Sequence, residues 1–128
     1  MKIRNQARIK KIVRALKSYD PERVILFGSA ARGDADAYSD IDLVVIKETS
    51  EKFLDRIERV IDFVKPDFAF DALVYTPNEF AQMQARENPL IVHVLKEGVT
   101  IYERPTGRSR ALVRTSRVRP ARRAKQRR

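Results

Sequence analysis

Ile9, Ile12, Val13 and Leu16 recur at the i, i+3, i+4, i+7 spacing of a buried helix face, with Lys10, Lys11, Arg14 and Lys17 on the other sides. This predicts a helix over residues 2–18, closed by the Asp20-Pro21 turn. Residues 23–27 form a short, β-rich apolar run, the mark of a buried strand, and Gly28-Ser29 breaks it. Ala30, Ala31 and Arg32 suit one or two helical turns, residues 34–39 read as polar loop, and the apolar run resumes over 40–46 as a second strand. Ser50 is the expected cap of a helix over 51–63, which carries Phe53, Leu54, Ile57, Val60 and Ile61 as an apolar stripe. A third strand follows over 68–75. Thr76, Pro77 and Glu79 then supply an N-cap, a proline at the first helical position and the third-position acid of a capping box, starting a helix to about residue 86. After Asn88-Pro89, residues 90–96 read as a helix stopped by Gly98, and residues 99–102 as a last strand. The alternation of helices and strands places the chain in the α/β class.

Three acids disturb this pattern. Asp40 and Asp42 lie in the second strand, and an ionised carboxylate in an apolar strand is costly unless something positive meets it. Side chains alternate along a strand, so these two point to one face, about 6.5–7 Å apart along it. From there their tips can converge on one cation, and oxygen-only ligation suits Mg²⁺ with a phosphate-bearing substrate. Gly28 lets a ligand approach the backbone, the short helix after it offers free N–H groups, and Ser29 adds a hydroxyl. Arg32 on the same turn can meet a phosphate oxygen. Two-metal displacement calls for a third carboxylate. Asp71 is as anomalous in its strand as Asp42 is in its own, and is preferred to Asp67, which sits at the strand start where solvation is easier.

The 128 residues suffice for one domain, and 43% of them are apolar. No stretch approaches the ~20 apolar residues of a membrane span, and the first twenty residues lack the apolar core of a secretory signal. The chain contains no cysteine, which excludes disulfides and thiolate-held zinc and accords with a cytoplasmic setting. The net charge of +10 is unevenly placed. Residues 104–128 carry 11 of the 27 Lys/Arg and no acid, leaving 16 bases against 17 acids in residues 1–103. The expected division is therefore a folded domain over 1–103 and a basic, disordered tail over 104–128. The tail has no aromatic residue, so contact with nucleic acid there would be nonspecific, through charge.

The stretch FGSAARGDADAYSDIDLVV carries a Gly-Ser pair, ten residues and Asp-x-Asp, and so resembles the minimal nucleotidyltransferase (MNT) family of the DNA polymerase beta-like superfamily. The later DALVYTPNEF and NPLIVHVLKEGVTIYE are similar to that family's closing elements, and the resemblance spans residues 3–103. It implies a small mixed β-sheet flanked by helices and a Mg²⁺-dependent transfer of AMP from ATP to a hydroxyl. It also implies two Mg²⁺ ions held by Asp40, Asp42 and Asp71, with Asp71 as base or second-metal ligand, and ATP phosphates held by Gly28, Ser29 and, more weakly, Arg32. Many small members resemble antitoxins paired with a HEPN ribonuclease toxin, so the implied acceptor is a toxin tyrosine and the implied assembly a homo- or hetero-oligomer.

Three other functions fit the residues: an antitoxin that neutralises by binding alone, transfer to a small molecule such as an aminoglycoside, and nucleic-acid binding through the tail. His93 is expected to be an ordinary helix residue, Tyr38 and the acids Asp34 and Asp36 loop residues, and Phe53, Phe63, Phe68, Phe70 and Phe80 core.

Overall fold

Alternation along each strand decides which layer every residue joins. The computed structural model describes residues 6–32 and 40–105. Their order is α1 (Gln6–Leu16), β1 (Arg23–Phe27), α2 (Ser29–Arg32), β2 (Ile41–Ile46), α3 (Phe53–Val64), β3 (Phe70–Tyr75), α4 (Pro77–Ala85), α5 (Pro89–Glu97) and β4 (Val99–Glu103). The strands form one mixed sheet in the order β3-β2-β1-β4. β1 runs antiparallel to β2 and β4, and β2 runs parallel to β3. A parallel pair needs a crossover, and α3 supplies it.

Val24 and Leu26 of β1, Leu43 and Val45 of β2, and Ala72 and Val74 of β3 pack against Ile12 and Leu16 of α1 and Val60 and Val64 of α3. On the other face Ile25, Val44 and Ile46 meet Phe80 of α4 and Ile91 and Val94 of α5. Both sides of β1 and β2 are thus buried, which is why those strands read as unbroken apolar runs.

The capping box at Thr76 forms as expected: its hydroxyl accepts the Glu79 N–H at 3.1 Å, and Glu79 accepts the Thr76 N–H at 2.9 Å. Other expectations need correcting. Ser50 caps nothing. Thr49 Oγ1 takes the Glu51 N–H instead, and α3 starts at Phe53 behind an extended Lys52 with no side-chain cap. Among the described residues α1 ends at Leu16, and β3 starts at Phe70, two residues later than its apolar run suggests. Gly98 ends α5 with φ −76°, so its role is not a left-handed turn. A Cβ there would lie 2.6 Å from Ile25 Cγ2 and closer still to the Val94 carbonyl oxygen; helix and sheet meet where only glycine fits. Of the five phenylalanines expected in the core, Phe80 is buried, Phe63, Phe68 and Phe70 are partly so, and Phe53 is exposed, its ring tilted against Tyr75 at 5.7 Å. The expected 34–39 loop and the tail from residue 106 lie outside the described residues. Arg104 still belongs to the fold's edge: its N–H bonds Glu22, and its guanidinium pairs with Asp20 at 3.3 Å.

One buried charge ties the layers together. Arg56 of α3 is 7% exposed. It grips Glu79 through two hydrogen bonds of 2.7 and 3.1 Å and donates to the carbonyls of Val74 (3.1 Å) and Glu51 (2.8 Å). A fork-on-carboxylate pair with its remaining donors satisfied is the form in which a buried ion pair holds. The hydrogen bond from Arg56 lowers the Glu79 pKa, against the opposing effect of burial. A carboxyl lowered by folding adds stability above its unfolded pKa and loses it as pH falls through the folded value. We therefore expect Arg56→Ala to cost about 2–3 kcal/mol at neutral pH, the low end for a broken buried pair because Glu79 is partly solvated. In urea titrations this deficit should shrink as pH drops below about 4.

Candidate active site

The rows that bury Ile25, Val44 and Ile46 continue past the helices that cover them. At that end of the sheet Phe27 of β1 lies opposite Asp42 of β2, and Asp42 opposite Asp71 of β3. Register partners on adjacent strands share a face, so the two carboxylates sit side by side on Cα atoms about 4.8 Å apart. Asp40 immediately precedes β2 and is exposed. The acids break the apolar pattern because here the sheet face is not covered by a helix. A cleft of about 360 Å³ opens beside them, walled by Phe27, Asp42, Phe70, Asp71 and Leu73 and, from α3, by Ile57 and Ile61.

Gly28 makes room at the same place. Its φ is +79°, a conformation costly for any residue with a Cβ, and a Cβ there would stand 2.7 Å from Asp42 Oδ2. The backbone turns so that the Gly28 carbonyl accepts the Ala31 and Arg32 N–H groups at 3.1 and 3.2 Å. This opens α2, whose first two amides, of Ser29 and Ala30, have no partner within the helix. Ala30 and Ala31 are fully buried, small enough to hold this turn close against the sheet. Ser29 is half-buried and Arg32 exposed. Gly28, Ser29 and the carboxylates thus come from adjacent strand ends.

Burial raises the Asp42 pKa, and the charges of Asp71 and Asp40 raise it further. Three acids close enough to feel one another favour a cation among them. Among the described residues no three His, Cys, Asp or Glu side chains are gathered tightly enough to form a ready-made metal cage. What juxtaposes Asp42 with Asp71 is backbone register. Asp67 lies before β3, exposed, and pairs with Lys11 at 3.6 Å. His93 is exposed on α5. Tyr38 lies outside the described residues. The apolar wall from Ile57 and Ile61 is an addition to the sequence reading, which has both only as part of the α3 apolar stripe; a stripe too wide for one buried face was the signal.

Over residues 10–106 the chain matches the family described as "Polymerase beta, Nucleotidyltransferase". No curated protein matches it. Among solved structures it is similar to one described as a nucleotidyltransferase from Sulfolobus solfataricus, with 28% identity over 75% of this chain and 78% of that one and a TM-score of 0.53. A structure described as a minimal nucleotidyltransferase shares 25% identity over 73% of this chain and 89% of that one, TM-score 0.48. A toxin-antitoxin complex with AMP-PNP shares 18% over 81% and 78%, TM-score 0.46. Among the described residues no helix is long and apolar enough to cross a membrane. With the family match running from α1 to just past β4, the chain belongs to the polymerase beta nucleotidyltransferase family.

Proposed function

We propose that this chain is a Mg²⁺-dependent adenylyltransferase that moves AMP from ATP to a protein hydroxyl, a tyrosine of a cognate HEPN ribonuclease toxin, and so acts as its antitoxin. The observation that carries the nucleotidyl-transfer chemistry is the register of Asp42 with Asp71 at the uncovered end of the sheet, where Gly28 lets the Asp42 carboxylate lie close against the backbone. The antitoxin role follows from the resemblance of the Gly-Ser and Asp-x-Asp stretch to the minimal members of the family. The catalytic unit is residues 1–103, and the basic residues 104–128 serve contacts with the partner or with nucleic acid.

The donor set suits a hard divalent cation, being carboxylate oxygen only, and the cleft beside it leaves room for substrate oxygens. Asp40, Asp42 and Asp71 would hold two Mg²⁺, which when bound stabilise charge on the reacting phosphate and on the departing pyrophosphate. Gly28 and the amides opening α2, with Ser29, take the triphosphate, and Arg32 meets a phosphate oxygen. The acceptor oxygen attacks the α-phosphorus and forms a new P–O bond. The bond to the bridging oxygen breaks and pyrophosphate leaves. Asp71, which walls the cleft, accepts the hydroxyl proton, while Phe27 and Leu73 keep water from competing.

The test is incubation with Mg²⁺, labelled ATP and the protein encoded next to this chain. Label in the α-phosphate should pass to a tyrosine of that protein, and label in the γ-phosphate should leave as pyrophosphate. Retention of the γ-label on the protein would mean phosphoryl transfer, and no transfer at all would leave neutralisation by binding alone.

A further inference from the structure

We infer that the acceptor protein docks along α3 through a helix that is apolar on one face and basic beside it. The inference rests on the reading above that the acceptor is a protein.

On α3 the residues facing the core are Arg56, Val60 and Val64. A helix covering a sheet ordinarily turns polar on either side of such a row. Here one side stays apolar: Leu54 is 72% and Ile61 40% exposed, with Ile57 half-buried between them. At 100° per residue these three fall on one arc, and the next arc holds Asp55, Glu58 and Asp62, all exposed. Among the described residues none of these acids is in an ion pair. The basic residue beyond them, Arg59, is engaged with Glu51. Asp62 lies within electrostatic reach of Arg59, and the strip presents apolar surface bordered by three exposed acids.

Its direction links it to the chemistry. Ile57 and Ile61 also wall the cleft that holds Asp71, so the strip runs into the site. A partner lying on it delivers a side chain to the carboxylates without further reach. From Leu54 to Ile61 the strip is two helical turns long, about 10 Å, the span that i, i+3 or i+4, and i+7 anchors of an amphipathic helix cover. The acid row selects Lys and Arg along that helix's flank. A second copy of this chain fits poorly: its own basic amphipathic helix, α1, has Ile12 and Leu16 committed to the core.

The test uses the full chain and three fluorescent peptides: an amphipathic Leu/Lys helix about four turns long, a scrambled version that spreads the leucines round the helix, and a Leu/Glu version. Anisotropy should show the amphipathic basic peptide bound about ten-fold or more tightly than the other two. Leu54→Ser, and separately Glu58→Lys with Asp62→Lys, should each erase that preference while leaving binding of Mg·ATP unchanged. Asp42→Asn should do the reverse, so failure of the docking surface and failure of the nucleotidyltransferase reading are separable. Equal binding of the three peptides, or binding indifferent to the α3 variants, overturns the inference. So does a dimer seen by light scattering that Leu54→Ser dissociates, which gives the strip to a second copy. The chain lacks cysteine, so Leu54→Cys with Ser116→Cys adds the last arm. A disulfide within one chain that the Leu/Lys peptide cannot slow would assign the strip to residues 106–128 and overturn it too.

Discussion

Asp42→Asn is expected to lower nucleotidyl transfer by about 10³-fold or more, the scale on which removing a charge-stabilising group from an active site acts. It should leave the chain as stable as before, or more so. The Asp42 carboxyl is pushed above its ordinary range by burial and by Asp71 and Asp40. A carboxyl raised by folding opposes folding wherever it is ionised, so at neutral pH the neutral amide removes a strain that the ionised acid imposes. Asp71→Asn should share the activity loss, whereas Asp67→Asn should not, because Asp67 is exposed, precedes β3 and pairs with Lys11. Transfer assays alongside thermal melts decide the matter. An Asp42→Asn protein that keeps its activity removes the carboxylate site from consideration, and one that melts markedly lower contradicts the electrostatic account.

The second large effect separates two glycines. Gly28→Ala places a Cβ at φ +79° and 2.7 Å from Asp42 Oδ2. The backbone cost is about 1–2 kcal/mol, and the displaced carboxylate should cost about 100-fold or more in activity. Gly98→Ala meets no such torsion, since φ there is −76°. It drives a methyl into Ile25 and the Val94 carbonyl, an overpacking worth about 1–3 kcal/mol, away from the acids. Urea unfolding should therefore report both variants as destabilised, while kcat/KM falls only for Gly28→Ala. Equal activity loss in the two would mean that Gly28 acts through stability alone.

How much of this was legible in the chain differs by feature. The strand before Gly28 and the capping box at Thr76 are local, set by neighbours within a few residues, and both were readable. The α3 start was misread because a hydroxyl before an apolar stripe signals a cap, whereas here Thr49 takes the Glu51 N–H ahead of the helix and α3 begins behind Lys52 with no side-chain cap. Arg56 looks like a surface arginine until Glu79 is known to reach it, and a buried ion pair leaves no periodic trace. At the candidate site the residue types were legible and their arrangement was not. Asp42 and Asp71 stand out one by one, but their pairing depends on register across the α3 crossover. The apolar wall from Ile57 and Ile61 was hidden for a related reason: a stripe on a helix does not say where the surface it covers ends.

That crossover also bears on how the protein is made. The neighbouring carboxylates belong to strands separated in the chain by all of α3 and joined side by side in parallel. Such pairings close a long loop before any contact rewards it, and are slow to form. The nascent chain holds Asp40, Asp42 and the Gly28 turn early, yet has no complete set of acids until β3 has been synthesised and has found β2. On the proposed assignment of the acids, activity thus arrives all at once, as a property of the finished sheet, and a partly folded chain has no reduced version of it to offer.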